Sequence, residues 1–488
     1  MIEKKELTKI VGAGNVRSDE ATLAKYSGDM SFVGHVKPEY VVKPGNADEV
    51  KKLVSLAREK KVPLVPVSSG APHLRGDTVP AVGGAIIVDL SGMQKIVRID
   101  RYNRVAMFEP GVTFGELIPA VAKEGLRLNM PLLPRQSKSV VGSLLEREPV
   151  VMPDYHWDIA DPLADVEIIL GNGALFRTGA SAGPGTLEEQ WAVGGAQKEA
   201  AGPSSASWYR VIQGSQGTMG IVTWASARCE ILPRKEEPFL IGSPDLNKIM
   251  EMVHWLIRLR LVNECFILNS TDLATLLPKK SPHEYPQIKS GLPAWILFYN
   301  VAAYDYLTED RVNWQVADIK DLSQRVGLEP ARSLGAVSAF DLLKMVQAPA
   351  PEPYWKTPNN WACQDIFFIT SFQKVGELID TMYDLAAEAG YATPDMGVYI
   401  QPVVQGVNFH VEFNLFYPLA NPVEVARVRK LSVSAVRKLM EKGAFFSRPY
   451  GESTGFIMNR DAATIAALKK VKSILDPDNI MNPGKLCF

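Results

Sequence analysis

V-P-L-V-P-V-S-S-G-A-P-H-L-R-G-D-T-V-P-A-V-G-G, from Val62 to Gly84, is the stretch from which the fold is read. An apolar run, Val62 to Val67, stops at small residues, passes Ser68, Ser69, Gly70 and Gly76, and gives way to a second apolar run, Ala85 to Leu90. This order predicts a strand, a tight loop and a strand. Where side chains are small, backbone N–H groups approach a ligand closely, and clustered N–H groups form a concavity that suits a phosphate. Alone, such a loop is more often a plain turn. The neighbouring segments decide between the two.

Upstream, P-E-Y-V-V (Pro38 to Val42) reads as a strand, and Asn46 or Asp48 caps a helix from Glu49 to Lys61 whose Val50, Leu53, Val54 and Ala57 share one face. Strand, helix and strand within so short a span form a βαβ unit, so the first sheet is at least partly parallel. Downstream, Arg104 to Glu109 is strand-like and Thr113 to Glu124 an amphipathic helix. Val166 to Leu170 and Ala174 to Arg177, split by Gly171-Asn172-Gly173, read as a hairpin with a type I′ turn at Asn-Gly. A second glycine loop, R-V-I-Q-G-S-Q-G-T-M-G-I-V-T-W-A, covers Arg210 to Ala225. The texture changes near Pro233, and Pro238 to Lys442 alternates helical and strand-like stretches as a separate α+β domain would. Then come a helix, Ala462 to Ile474, and the turn-rich D-P-D-N-I-M-N-P-G-K.

A length of 488 residues implies two or three domains. The net charge of −1 gives no support for a nucleic-acid surface. Cys229, Cys265, Cys363 and Cys487 lie far apart, which excludes a cysteine-ligated cluster or zinc site and points to a reducing compartment. The first ten residues lack the apolar core of a signal peptide, and no apolar run reaches membrane-spanning length, so a cytoplasmic protein is expected.

Four pieces in order, S-S-G-A-P-H-L-R-G, V-A-M-F-E-P-G-V-T-F-G-E-L, G-S-Q-G-T-M-G-I-V-T and D-P-D-N-I-M-N-P-G-K, resemble the vanillyl-alcohol oxidase and p-cresol methylhydroxylase (PCMH-type) superfamily of FAD-binding oxidoreductases. A loop ending S-V-V-G and the hairpin V-E-I-I-L-G-N-G-A-L-F-R-T-G fall between them in the matching order. The resemblance implies an α+β fold: a two-subdomain FAD-binding domain from residues 1–235 and 445–488, with an α+β cap (substrate) domain, 236–444, over the flavin. It gives Ser68, Ser69, Gly70, Ala71, Pro72, His73 and Gly76 to the diphosphate, and the backbone near Ser139, Val140, Gly142, Ser143, Gly217, Gly220, Ile221 and Val222 to adenine, ribose and flavin. Where one branch carries the histidine that bonds FAD covalently, Pro72 stands here and His73 follows, so a bound but dissociable FAD is implied.

The phenol-oxidising branch has a tyrosine and an acid at positions held here by Arg75 and Leu132, both read as substrate-binding. The 2-hydroxy-acid branch has histidine-rich segments, replaced here by Q-P-V-V-Q-G-V-N-F-H and P-Y-G-E-S-T-G. The chain sits in neither branch. The reading favoured is hydride abstraction to flavin N5 from a small organic substrate, an aromatic alcohol or 4-alkylphenol-like compound. The alternatives are a 2-hydroxy-acid (lactate- or glycolate-type) dehydrogenase and an FAD-carrying subunit of an electron-transfer complex. Without a cluster motif, a dehydrogenase of this kind needs a separate electron-acceptor protein.

In the cap, V-N-F-H-V-E-F-N-L-F-Y sets Asn408, His410, Glu412 and Asn414 on one face of a strand and Phe409, Val411, Phe413 and Leu415 on the other. That polar row is either a cavity floor or one wet face of a sheet. As a floor it makes His410 and Glu412 a catalytic pair, with the carboxylate orienting the imidazole, and Asn408 and Asn414 substrate contacts. No complete metal-ligand set accompanies it. In F-S-R-P-Y-G-E, Arg448 and Tyr450 suit an oxyanion, and relatives hold the substrate's oxyanion near this point. Asp154 and His156 form a third, weaker candidate pair.

Overall fold

The computed structural model describes residues 2–155, 161–202, 207–277, 284–358 and 361–488. Its first sheet holds β1 (Val16–Arg17), β2 (Tyr40–Val42), β3 (Leu64–Val67) and β4 (Ile86–Asp89) in the order β1-β2-β4-β3. β2 and β3 both run parallel to β4, as a βαβ unit requires. The connecting helix α1 (Ala47–Lys60) starts where the Asn46 side chain accepts from Glu49 N. It ends at Lys61 in a left-handed conformation, and its buried face is Val50, Leu53, Val54 and Ala57. These pack with Ile169, Ile221, Ile480 and Met481, and each large aliphatic side chain so buried contributes about 1.5–3 kcal/mol.

The second sheet comprises β5 (Ile96–Asp100), β6 (Val105–Phe108), β7 (Leu126–Leu128), β8 (Leu163–Leu170), β9 (Leu175–Arg177) and β10 (Gly220–Ile231). Its path is β5-β6-β10-β8-β9, with β7 against β10. The short helix α2 (Val140–Leu145) lies beside the first loop. The β8–β9 hairpin forms, but its turn is not type I′. Among its three loop residues only Gly173 has a positive φ, +83°. Gly173 N donates to Leu170 O and Leu170 N to Ala174 O, so the loop spans three residues and ends in a left-handed glycine.

The third sheet is antiparallel: β11 (Lys235–Ser243), β12 (Cys265–Asn269), β13 (Trp295–Ala303), β14 (Trp361–Thr370), β15 (Met396–Val403) and β16 (Asn408–Pro418) in the order β11-β13-β12-β15-β16-β14. Helices α3 (Leu246–Arg258), α4 (Thr308–Val326), α5 (Val375–Glu388) and α6 (Pro422–Glu441) cover one face, where Phe409, Val411, Phe413 and Leu415 of β16 join the core. The opposite row is no wet face. His410, Glu412 and Asn414 are 2, 7 and 0% exposed, with Asn414 against Asp272 of the helix Ser270–Leu276 and Glu412 against Lys356. Directly paired residues share a face, so Tyr399 and Gln401 of β15 and Asp365 and Phe367 of β14 stand in the same polar row.

Past helix α7 (Ala462–Leu475) the chain returns to the first sheet. Leu64 N donates to Ile480 O and Asn482 N to Leu64 O, so D-P-D-N-I-M-N runs along the free edge of β3. Asp476 fixes this turn by accepting from Ile480 N and Met481 N, and the buried Lys472 ammonium bonds Asp476, Thr218 O and Met481 O. No described helix is long and apolar enough to cross a membrane.

Candidate active site

A cleft with about 1390 Å³ of empty space runs between the first two sheets and the cap sheet. From the expected cofactor residues it takes Ser68, Ser69, Pro72, His73, Gly142, Gly217, Gly220 and Val222. Arg75, Leu132 and Tyr450 also line it. The loop after β3 carries small residues and unspent donors. Among the described residues, the amides of Gly70, Ala71, His73, Leu74 and Arg75 donate to no protein acceptor. Ser69 Oγ accepts from Ser139 N at 3.0 Å, and Ser139 Oγ accepts from Gly142 N at the start of α2. Gly76 turns the loop at φ +77°, with its N–H on Asp29.

The facing wall tolerates no side chains. A Cβ on Gly217, itself at φ +71°, would stand 2.5 Å from Pro66 Cγ, and one on Gly220 would stand 2.4 Å from Ile169 O. Free amides opposite bare backbone fit a dinucleotide diphosphate and its flat rings. Asn482 Nδ2 ties the two walls together by donating to Asp77 O at 2.9 Å and Gln216 O at 2.8 Å. Lys485 Nζ adds a bond to Gly76 O. Of the remaining expected cofactor residues, Gly70 and Ala71 are exposed on the loop, Val140 and Ile221 are core residues, and Ser143 Oγ donates to Glu148. His73 faces the cleft, and burial beside Arg135 pushes its pKa down.

At the cap end the cleft meets a line of buried charges. Arg75 contacts Glu146 at 2.6 Å, Glu148 at 3.4 Å and Asp365 of β14 at 3.6 Å. Its guanidinium lies 5.1 Å from the Phe367 ring centre and 5.3 Å from that of Tyr450. Asp365 also accepts from Lys356 Nζ at 3.3 Å, and Lys356 Nζ donates to Glu412 at 2.5 Å. Glu412 stands 3.4 Å from His410 Nε2, which makes no well-formed hydrogen bond. Burial alone would raise the Glu412 pKa, but Lys356 and then His410 hold it well below the usual carboxylate range. Burial likewise opposes charge on Lys356, yet Glu412 and Asp365 lift its pKa well above normal. His410 moves down through burial. The resting pattern is an ionised Glu412, a charged Lys356 and a neutral imidazole.

The fold spreads the expected catalytic and substrate residues over the cleft, a neighbouring cavity and the layer beneath. Tyr450 borders the cleft, but Arg448 faces a smaller cavity of about 610 Å³ whose wall shares Arg75, Asp365 and Tyr450 with the cleft. Arg448 is 6% exposed, lies 4.1 Å from the Phe367 ring centre, and its Nη1 has no acceptor. Asn414 does not reach the cleft lining: it donates to Asp272 and accepts from Cys363 within the cap. Asn408 sits at the far end of β16. His410 and Glu412 lie one layer beneath the lining, behind Lys356, which sequence reasoning missed. Asp154 is exposed, and His156 falls outside the described residues.

A two-sheet domain completed by the segment after α7, with a cap sheet closing a donor-rich cleft, is the architecture expected of a flavin-dependent oxidoreductase. A family model for the FAD binding domain matches residues 38–179, and one for the C-terminal domain of FAD linked oxidases matches residues 456–486. The structure is similar to 4-ethylphenol oxidase from Gulosibacter chungangensis and to p-cresol methylhydroxylase with substrate bound. Each comparison has a TM-score of 0.83 at 18% identity, covering 99% of this chain and 96% of the other. In sequence it is 24% identical to the glycolate oxidase subunit GlcD of Bacillus subtilis over 99% of this chain and 96% of that one. It is 23% identical to the flavoprotein subunit of 4-cresol dehydrogenase [hydroxylating] from Pseudomonas putida, over 98% and 93%. The chain carries the FAD binding domain and the C-terminal domain of FAD linked oxidases, which makes it an FAD-linked oxidoreductase with FAD as its cofactor, and its fold is that of the PCMH-type structures.

Proposed function

We propose that this FAD-linked oxidoreductase takes hydride from a small organic substrate of the aromatic alcohol or 4-alkylphenol type. The observation that carries this reading is the aromatic and cationic wall at the cap end of the cleft. Arg75 and Tyr450 line the cleft together with the apolar Leu132, and the Arg75 guanidinium lies 5.3 Å from the Tyr450 ring centre and 5.1 Å from that of Phe367 behind the lining. Bound FAD supplies the two-electron acceptor that no side chain provides. Tyr450 remains a phenol because burial and then Glu146 push its pKa up, so it offers a hydrogen bond to substrate oxygen. Arg75 supplies fixed positive charge for the oxygen as negative charge grows on it. Leu132, 8% exposed, gives a ring an apolar wall. Neutral His410, behind ionised Glu412, is able to accept a proton, as is His73 on the cleft wall. The likeness to a flavoprotein subunit supports electron transfer onward to a separate acceptor protein.

A second reading, oxidation of a 2-hydroxy acid, draws on relatives named glycolate oxidase subunit and D-lactate dehydrogenase. Anaerobic addition of 4-ethylphenol, 4-hydroxybenzyl alcohol, glycolate and D-lactate to the yellow protein separates the two. Bleaching by either aromatic compound alone is expected. Bleaching by glycolate or D-lactate alone would replace the first reading with the second.

A further inference from the structure

We propose that Lys356 is a substrate-binding residue, the cleft-facing donor of a Glu412–Lys356–Asp365 cluster that recognises one anionic oxygen, a carboxylate or phenolate. The inference deepens the oxidoreductase reading above and rests on it for the identity of the occupant. Lys356 lies in P-E-P-Y-W-K, an irregular segment ahead of β14. Its side chain lines the cleft beside Tyr354, Asp365 and Tyr450, although the residue is only 6% exposed. An ammonium has three N–H donors. One reaches Glu412 at 2.5 Å and one Asp365 at 3.3 Å, and among the described residues the third has no protein acceptor.

The neighbouring groups fix how that donor points. Glu412 lies beneath the lining and Asp365 beside it, so the ammonium is held from below and from one side. Lysine on its flexible stem would otherwise lose much of its directing power. Burying such a cluster adds little to stability, since well-packed apolar residues do as well. The arrangement is explained by a ligand that completes the third bond. A neutral substrate group would satisfy it weakly, whereas a carboxylate or phenolate makes a charge-assisted bond. Arg75 shares Asp365 with Lys356, so an anion placed there also feels a second cation.

The test uses the FAD-loaded full chain and needs no turnover. Benzoate and its neutral isostere benzamide are titrated into wild type and K356M, with calorimetry and the perturbation of flavin absorbance as readouts. Saturable benzoate binding to wild type is expected, weakened about tenfold or more by K356M, while benzamide binding changes little. K356M leaves Glu412 and Asp365 facing each other, so K356M/E412Q, which removes one charge of each sign, keeps the net charge and guards against a misfolded single variant. It too must lose benzoate affinity. Unchanged benzoate affinity in K356M, recovery of wild-type affinity in the double variant, or failure of benzoate to bind wild type overturns the assignment. If benzoate binding depends on Lys356 but no panel compound bleaches the flavin, the anion site stands and the substrate reading falls.

Discussion

Glu412 shows how one residue's ionisation is set by what packs around it. Its folded pKa is depressed by Lys356 and then His410, while an unfolded glutamate titrates near 4.5. A depressed acid contributes stability above its unfolded pKa and loses that contribution as pH falls through the folded value. E412Q is therefore expected to cost about 3 kcal/mol at pH 7, since it leaves a buried cation short of a partner. The penalty should shrink progressively below pH 4.5, where the wild-type carboxyl is protonated in the unfolded chain. Urea midpoints at neutral and acid pH measure this directly, and a pH-independent penalty would mean that packing, not charge, is at stake. At this scale the sequence was half legible. Alternation along Asn408 to Asn414 gave the polar face correctly, but period two says nothing about depth, so Asn414 was assigned to a cleft that it does not line. Lys356 has no periodic neighbours to announce it, and only the topology brings it over Glu412.

Among the elements, the turn-rich segment after α7 acts as a clasp. Asn482, 1% exposed and at φ +38°, spans from the first loop to the second through two hydrogen bonds from a single amide group. N482A removes both bonds from a buried site and is expected to cost about 2–3 kcal/mol. It should also loosen FAD, which rapid gel filtration and flavin fluorescence in the filtrate would detect. Tight FAD retention in N482A would mean the two glycine loops hold their spacing unaided. The βαβ unit was readable from strand and helix periodicity, and the capping Asn46 from its residue type. The hairpin at Gly171-Asn172-Gly173 was found, but its turn was misread, because a flanking glycine lengthens the loop and moves the left-handed position to Gly173.

At the scale of the molecule, the FAD-binding half is discontinuous in sequence. β3 finds its edge partner more than 400 residues along the chain, where Ile480 and Asn482 bond Leu64 on either side. A chain shortened to residue 475 is expected to emerge colourless, because it lacks both the edge segment and the Asn482 clasp. A yellow shortened protein with an unchanged flavin spectrum would contradict this. Composition and charge bounded the class of protein but gave no hint of this pairing, which became legible only when motifs from both ends were read together. The closure also sets an order on biosynthesis. A nascent chain can expose its glycine loop early, yet that loop has no fixed opposite wall until residues near 480 have left the ribosome. Flavin capture therefore waits until the segment near residue 480 is made, and a ribosome stalled before it would hold a partly assembled domain with an uncovered sheet edge, the kind of species that chaperones engage.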